Sequence, residues 1–285
     1  MFKKIFSPIT AILDFIQKYF KALIFLLIVL VLILSSTHQT LQKPNLAKIE
    51  LSGTILDAKE ILKKIDEASR PNIKGVLFVV NSPGGAVAPS VEISLAIKRL
   101  KDKKPIVAYA AGTMASGSYY SSIWADKIVA NPGSIIGSIG VIFESANIEE
   151  LSKKIGIKPQ VVKAGKYKEV GTPFRKWNKD EKEEIKKVIY DTYDMFVKDV
   201  ATARKLNIKD KDRFANAHIF TAREAKKVGL IDEVGTIYDA KEELIKLSKV
   251  KNPVWQREDK FEKFLDKIGD KASSKIASML TYGLF

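Results

Sequence analysis

The sequence contains no cysteine and only two histidines, His38 and His218. The first absence excludes disulfides, thiol catalysis and cysteine-held metal sites, and it leaves the compartment undefined by cysteine pairing. The second makes a Ser/His/Asp triad depend on His218 alone, because His38 lies beside an apolar N-terminal run. Nothing in the surrounding Asn-Ala-His-Ile-Phe marks His218 as catalytic, so a structural role is expected. Arginine clusters interleaved with aromatics are also missing, although 48 basic against 33 acidic residues give a formal charge of +15. No nucleic-acid partner is expected, and lysines spread along the chain read as a general bias that favours anionic lipid. No internal repeat occurs at solenoid periods. What is present, 285 residues with 46% apolar composition, is enough to bury a full core.

One long hydrophobic run stands out. Ala22 to Leu34 is unbroken, and with its flanks it approaches the ~20 residues that span hydrocarbon. Lys3, Lys4, Lys18 and Lys21 precede it, which predicts a cytoplasmic N-terminus and an exported remainder. A cleaved signal peptide is the competing reading, disfavoured by the long preceding region and the lack of an A-x-A-like site. The expectation is a single transmembrane signal anchor at 19–37. Before it, at 1–18, Phe2, Ile5, Phe6, Ile9, Ile12, Leu13 and Ile16 recur at helical spacing as a cytoplasmic amphipathic segment. A polar linker with Pro44 occupies 38–46, the main domain 47–250, and an amphipathic tail 251–285, with Phe261, Phe264, Leu265 and Ile268 at i, i+3, i+4 and i+7. The tail has the pattern of a partner-docking or membrane-surface helix.

Within the main domain, strand and helix patterns alternate. Extended runs are expected at 48–51, 75–80, 106–110, 127–130 and 134–143, with helices at 57–68, 89–100 and just after Ser116. Continuous apolar runs between helices indicate strands covered on both faces, hence an α/β fold with a largely parallel sheet and flanking helices. A long helix should start at Asn178, capped with Glu181 three positions on, and present Ile185, Val188, Ile189, Tyr193, Phe196 and Val200 to the core. Residues 221–235 read as a short helix stopped at Gly229, followed by a turn or strand.

Three places carry chemistry. Asn81-Ser-Pro-Gly-Gly85 follows a buried strand, where an α/β sheet opens its ligand crevice; Gly84 and Gly85 there either offer free N–H groups to an anion or form an ordinary Pro-Gly turn. Ser116, between Ala115 and Gly117 at the start of a helix, is either a nucleophile or a helix cap. A serine without a histidine needs another base, and a lysine of lowered pKa can serve. Lys163, Lys166 and Lys168 in Val162-Lys-Ala-Gly-Lys-Tyr-Lys-Glu169 are the candidates, and the residues alone do not choose among them.

The motifs Asn81–Gly85, Met114–Tyr120, Ala130–Val141, Gly165–Glu169 and Ala225–Gly235, in this order and spacing across roughly 47–240, resemble the signal peptide peptidase A family, also called protease IV, in its short form. The resemblance implies a Clp/crotonase-like serine peptidase with a Ser/Lys dyad. It places Ser116 as nucleophile, Lys168 as general base and Ser138 as the residue orienting the lysine. Gly85 and Gly117 fall at the oxyanion-hole positions. Gly84 and Gly140 lie on the edges, near 82–87 and 138–143, where an extended peptide would pair. It further implies degradation of signal-peptide remnants, no metal or organic cofactor, a catalytic domain on the extracytoplasmic side of the inner membrane, and a ring-like homo-oligomer in which serine and lysine come from neighbouring protomers. One departure is Ser118, where the family has glycine; an effect on local substrate fit is expected. A non-catalytic membrane-anchored scaffold, with Ser116 merely capping its helix, is the alternative.

Overall fold

Strand β2 (Gly75–Ser82) has the sequence GVLFVVNS and is buried along nearly its whole length, because both faces of the sheet are covered. Its side chains alternate between two cores. Val76, Phe78 and Val80 join Ile61, Ile65, Ile93 and Ile97 on one face, whereas Leu77 packs with Val107, Val129, Ala240 and Leu244 on the other. The period of two in these apolar runs thus fills two separate layers. A computed structural model defines this architecture for residues 7–37 and 43–256 and divides the chain into two units, Met1–Lys43 and Pro44–Phe285.

In the second unit, β1 (Leu46–Ser52), α2 (Lys59–Ala68), β2, α3 (Val87–Lys101), β3 (Ile106–Ala115), α4 (Gly117–Ser122) and β4 (Lys127–Ala130) alternate as expected. Then come β5 (Ile135–Gly137), α5 (Glu149–Lys154), α6 (Lys179–Arg204), a 3-10 turn, α7 (Lys211–Phe214), β6 (Ile219–Thr221), α8 (Ala222–Lys227), β7 (Glu233–Val234) and α9 (Ile237–Ser248). The sheet order is β1-β2-β3-β4-β7, parallel throughout. β3 is ten residues long and uses its two halves differently: Val107–Ala110 pair with β4, and Thr113–Ala115 pair with β5. β5 in turn pairs antiparallel with β6. This split carries β5 alongside the carboxyl end of β3, where the candidate nucleophile follows.

Several expectations need correction. The extended stretch expected over 134–143 is a strand only at Ile135–Gly137, because Ser138 adopts φ 51° and turns the backbone out of the sheet. α6 starts at Asn178 with the expected capping box. Only its C-terminal half is core, however: Phe196 and Val200 are buried, whereas Val188 is 61% exposed. Helix α9, absent from the sequence reading, covers the second face of the sheet through Ala240 and Leu244. Its start could have been found: the Asp239 carboxylate accepts from the Thr236 backbone N–H at 2.6 Å and from its hydroxyl at 2.7 Å, a capping box on a Thr-x-x-Asp signature.

The first unit holds α1 (Ser7–Thr37), a 31-residue helix that runs without a break across the boundary expected between 18 and 19. Among the described residues no helix is long and apolar enough to cross a membrane. The transmembrane span expected at 19–37 therefore has no structural support. Most of the expected linker, 38–42, and the apolar repeat Phe261, Phe264, Leu265, Ile268 of the tail lie outside the described residues.

Candidate active site

β3 ends at Ala115, and the chain then makes a sharp corner into α4. Ser116 sits on that corner with φ 52° and ψ −125°, a backbone conformation that side-chain-bearing residues adopt only under constraint. Two hydrogen bonds enforce it: the Ser116 N–H donates to the Gly137 carbonyl at 2.8 Å, and its carbonyl accepts from Tyr120 N–H at 3.0 Å. Its side chain makes no capping hydrogen bond to α4. The hydroxyl is therefore not spent on the helix, as the capping alternative required.

Beside this corner the backbone comes into contact with itself. A Cβ on Gly85 would stand 2.2 Å from the Ile55 carbonyl oxygen, and one on Gly84 would stand 2.6 Å from the Gly117 nitrogen and 2.9 Å from Ser116 Cβ. Both glycines have positive φ, 97° for Gly84 and 156° for Gly85. Residue 55 pairs across Gly85 through Ile55 N–H to the Gly84 carbonyl and Ala86 N–H to the Ile55 carbonyl, each at 2.8 Å. This spends the Gly84 carbonyl and the Ala86 N–H on Ile55. The position of a Cβ on Gly117 is 3.4 Å from the Gly85 nitrogen. Gly85 and Gly117 thus pack side by side next to Ser116, with Gly117 at the N-terminus of its helix.

A cavity of about 90 Å³ opens beside this point, lined by Gly85, Ser116 and Gly117 together with Val87, Val91, Ile142, Met195 and Phe196. Gly140 also lines it; a Cβ there would stand 2.8 Å from that of Ala217. Gly84 does not, since its carbonyl is held by Ile55 and its α-carbon packs on the serine corner. Tyr120 contributes a wall; its hydroxyl donates to the Asp199 carboxylate, and burial together with that carboxylate pushes its pKa up, so it stays protonated. Sequence reasoning assigned Phe196 only to the core and missed Met195 and Tyr120. An apolar helix face looks the same in sequence whether it meets a core or a cavity.

Ser138 follows Gly137, whose carbonyl holds Ser116, and its own N–H donates to the His218 carbonyl at 2.7 Å. The sheet thus brings Ser138 next to the nucleophile corner from a separate strand. His218 itself is exposed, with its ring 6.1 Å from that of Phe220. Ser118 is not a substrate contact. It is fully buried, with its hydroxyl donating to the Ser82 carbonyl at 2.6 Å and accepting from Ala115 N–H at 2.9 Å, so it ties the glycine turn to the serine corner.

The three lysines separate clearly. Lys163 pairs with Glu169 at 2.8 Å and Lys166 with Asp180 at 2.6 Å; Asp180 raises the Lys166 pKa and keeps it charged. Lys168 makes no side-chain hydrogen bond or ion pair among the described residues. It is exposed and is not part of the cavity lining, so the single chain does not bring it to Ser116. No group of side chains suited to holding a metal occurs among the described residues.

A strained serine at the carboxyl edge of a parallel sheet, two glycines packed beside it and a largely apolar cavity are the setting of a serine hydrolase. Comparison with known proteins agrees: the model of Peptidase family S49 matches residues 98–251, and the chain belongs to this family of serine peptidases. A Methanocaldococcus jannaschii protein with a provisional protease name, MJ0651, is 46% identical over 69% of this chain. The match spans 64% of that relative's length. An Enterococcus faecium protein provisionally named signal peptide peptidase SppA is 33% identical over 75% of this chain and 68% of its own. Protease 4 of Salmonella typhi is 28% identical over 83% of this chain and 40% of its own. Among solved structures, a mutant of the 1510-N membrane-bound stomatin-specific protease in complex with a substrate peptide has the same fold, with TM-score 0.56 and 17% identity over 81% of this chain and all of that one.

Proposed function

We propose that the protein is a membrane-anchored serine endopeptidase that degrades signal-peptide remnants and other apolar peptides through an acyl-enzyme. The observation that carries this reading is the strained Ser116 corner, its side chain uncapped and lining a largely apolar cavity together with Gly85 and Gly117. In this mechanism neutral Lys168 takes the Ser116 proton as the hydroxyl attacks a peptide carbonyl. The oxyanion is held by the two glycine N–H groups. The lysine then passes the proton to the leaving amine, and water hydrolyses the ester. Ser138 orients the amine. Val87, Val91, Ile142 and Phe196 favour an apolar side chain ahead of the cut. The exposure of Lys168 in the single chain is the arrangement expected if the lysine is completed by a neighbouring protomer in a ring.

Anchoring is proposed on sequence grounds. The apolar run 22–34 follows four lysines and, with its flanks, approaches the ~20 residues that span hydrocarbon. The catalytic domain would then lie on the extracytoplasmic side of the inner membrane. Activity-based labelling with a fluorophosphonate in membranes, comparing the native chain with Ser116→Ala and Lys168→Ala, tests the dyad. Label on native protein only is the expected result, and label retained in Ser116→Ala, or none on native protein, returns the scaffold reading. Carbonate extraction and C-terminal reporter fusions test the anchor and its orientation.

A further inference from the structure

The segment that carries Lys168 is not part of any helix or strand. It consists of successive tight turns, with Lys168 N–H to the Gly165 carbonyl, Val170 N–H to that of Tyr167 and Thr172 N–H to that of Glu169, all between 3.1 and 3.3 Å. Such a run does not fix a side chain by itself. What holds the turn is a charge cluster built around Glu169, the residue next to the lysine. The Arg175 guanidinium donates to the Glu169 carboxylate at 2.9 Å and, through both of its terminal nitrogens, to the two oxygens of Glu181 at 2.7 and 2.9 Å. Glu181 has only 2% of its side chain exposed and is the capping-box residue of α6, accepting from Asn178 N–H at 2.9 Å. Arg175 therefore pins the lysine turn to the first turn of the helix whose Met195 and Phe196, further along, line the Ser116 cavity. A second link runs parallel to it: Trp177 donates to the Thr172 carbonyl at 2.8 Å and packs on Phe143, next to the cavity residue Ile142.

We propose that Arg175 is the positioning residue for the general base: it fixes the Lys168 turn against the N-terminus of α6 and cancels the carboxylate charge beside the lysine. The proposal rests on the reading of Lys168 as the base. A lysine acts as a base only when neutral, and a neighbouring carboxylate favours its charged form. The charged groups around this turn are Lys163, Lys166, Glu169 and Arg175 of the loop, Asp180 and Glu181 of α6, and Glu149 of α5, which accepts from Lys176 N–H at 3.4 Å. Asp180 is matched by Lys166, and Glu169 and Glu181 are matched by Lys163 and Arg175. Removal of Arg175 leaves the pair of glutamates one positive charge short. The fork geometry also matters, since a lysine at 175 supplies the charge but cannot grip two carboxylates at once.

The test uses the full-length enzyme in nanodiscs, an apolar fluorogenic peptide, and Arg175→Ala, Arg175→Lys, Glu169→Gln, the double variant Glu169→Gln/Arg175→Met, and Lys168→Ala. In Arg175→Ala, kcat is expected to fall roughly 10- to 100-fold with KM within about twofold, as for a misplaced catalytic group. The alkaline-rising limb of its pH profile should move to higher pH. Arg175→Lys should return the limb but only part of kcat, and the double variant should return the limb toward the native position while kcat stays low. Should Arg175→Ala fail to give a native melting transition, Arg175→Lys and Glu169→Gln decide: the first lowers kcat, and the second moves the limb to lower pH. An unchanged kcat and limb in these variants, beside an inactive Lys168→Ala, overturns the role of Arg175 alone. An active Lys168→Ala overturns the dyad itself.

Discussion

The serine corner and the lysine turn are built in opposite ways. Around Ser116 the parts that meet are backbone: the Gly85 α-carbon against the Ile55 carbonyl, Gly84 against the Gly117 nitrogen, Ser116 N–H against the Gly137 carbonyl. Around Lys168 they are long charged side chains, Arg175, Glu169, Glu181 and Lys163, reaching across an exposed loop. The contrast teaches where each half gets its precision. An oxyanion site needs fixed dipoles, and a close-packed sheet edge supplies them at no cost in side-chain ordering. On the proposed reading, in which a neighbouring protomer completes the site, the lysine needs an accessible loop, and ion pairs can hold such a loop in place.

Substitutions can break this comparison at several strengths. The largest effect is expected in Ser116→Ala, where peptide cleavage should drop by roughly 10⁴-fold or more while the melting temperature stays near native. Lys168→Ala should approach the same loss, whereas Lys166→Ala, which removes a lysine already committed to Asp180, should retain most activity; steady-state kinetics separates the two. Next comes the backbone contact. Gly85→Ala places a methyl against a carbonyl at positive φ and should destabilise the domain by roughly 3 kcal/mol. Gly117→Ala, opposed mainly by the movable Ser90 hydroxyl, should cost less. Denaturant midpoints would reverse the argument if the order were inverted.

Ser118→Ala should cost about 1–3 kcal/mol in the same assay, because it strips the hydroxyl bonded to Ser82 and Ala115. It should leave the side-chain preference of cleavage unaltered. The smallest effect belongs to the lysine turn in acid. Arg175 holds the Glu181 carboxyl down from 4.5 to about 2, so the stability this contributes is complete above about pH 5 and is lost as the pH falls toward 2. Melting temperature against pH should therefore fall less steeply over that window in Glu181→Gln than in the native chain. Equal slopes would remove the ion pair from the account of the loop.

The sheet itself was legible from β2, β3 and β4, because a strand covered on both faces must be apolar at every position and few other structures write that pattern. α6 was legible from Asn178 and Glu181, whose capping box is local. Ser138 was placed inside an extended stretch over 134–143, whereas the strand ends at Gly137, since nothing in Gly-Ser-Ile-Gly announces a left-handed serine. α9 went unread despite Thr236 and Asp239, because its apolar face is narrow. The cavity wall of Tyr120 and Met195 was invisible for a different reason: each belongs to a helix whose sequence says that it packs, without saying against what.

By itself the sequence determined that thiol chemistry and cysteine-held metal sites are excluded, since the chain has no cysteine, and its motifs carried the family resemblance that implies serine and lysine. It determined as well the parallel α/β layering, which follows from periodicity along single segments. Only the tertiary structure decided that Ser116 leaves its helix uncapped, that Ser118 is a buried tie, that Lys163 and Lys166 are already paired, and that Lys168 stands apart from the serine within one chain. Each of those depends on contacts between residues far apart in the chain, and local sequence carries no record of the distance across a folded sheet.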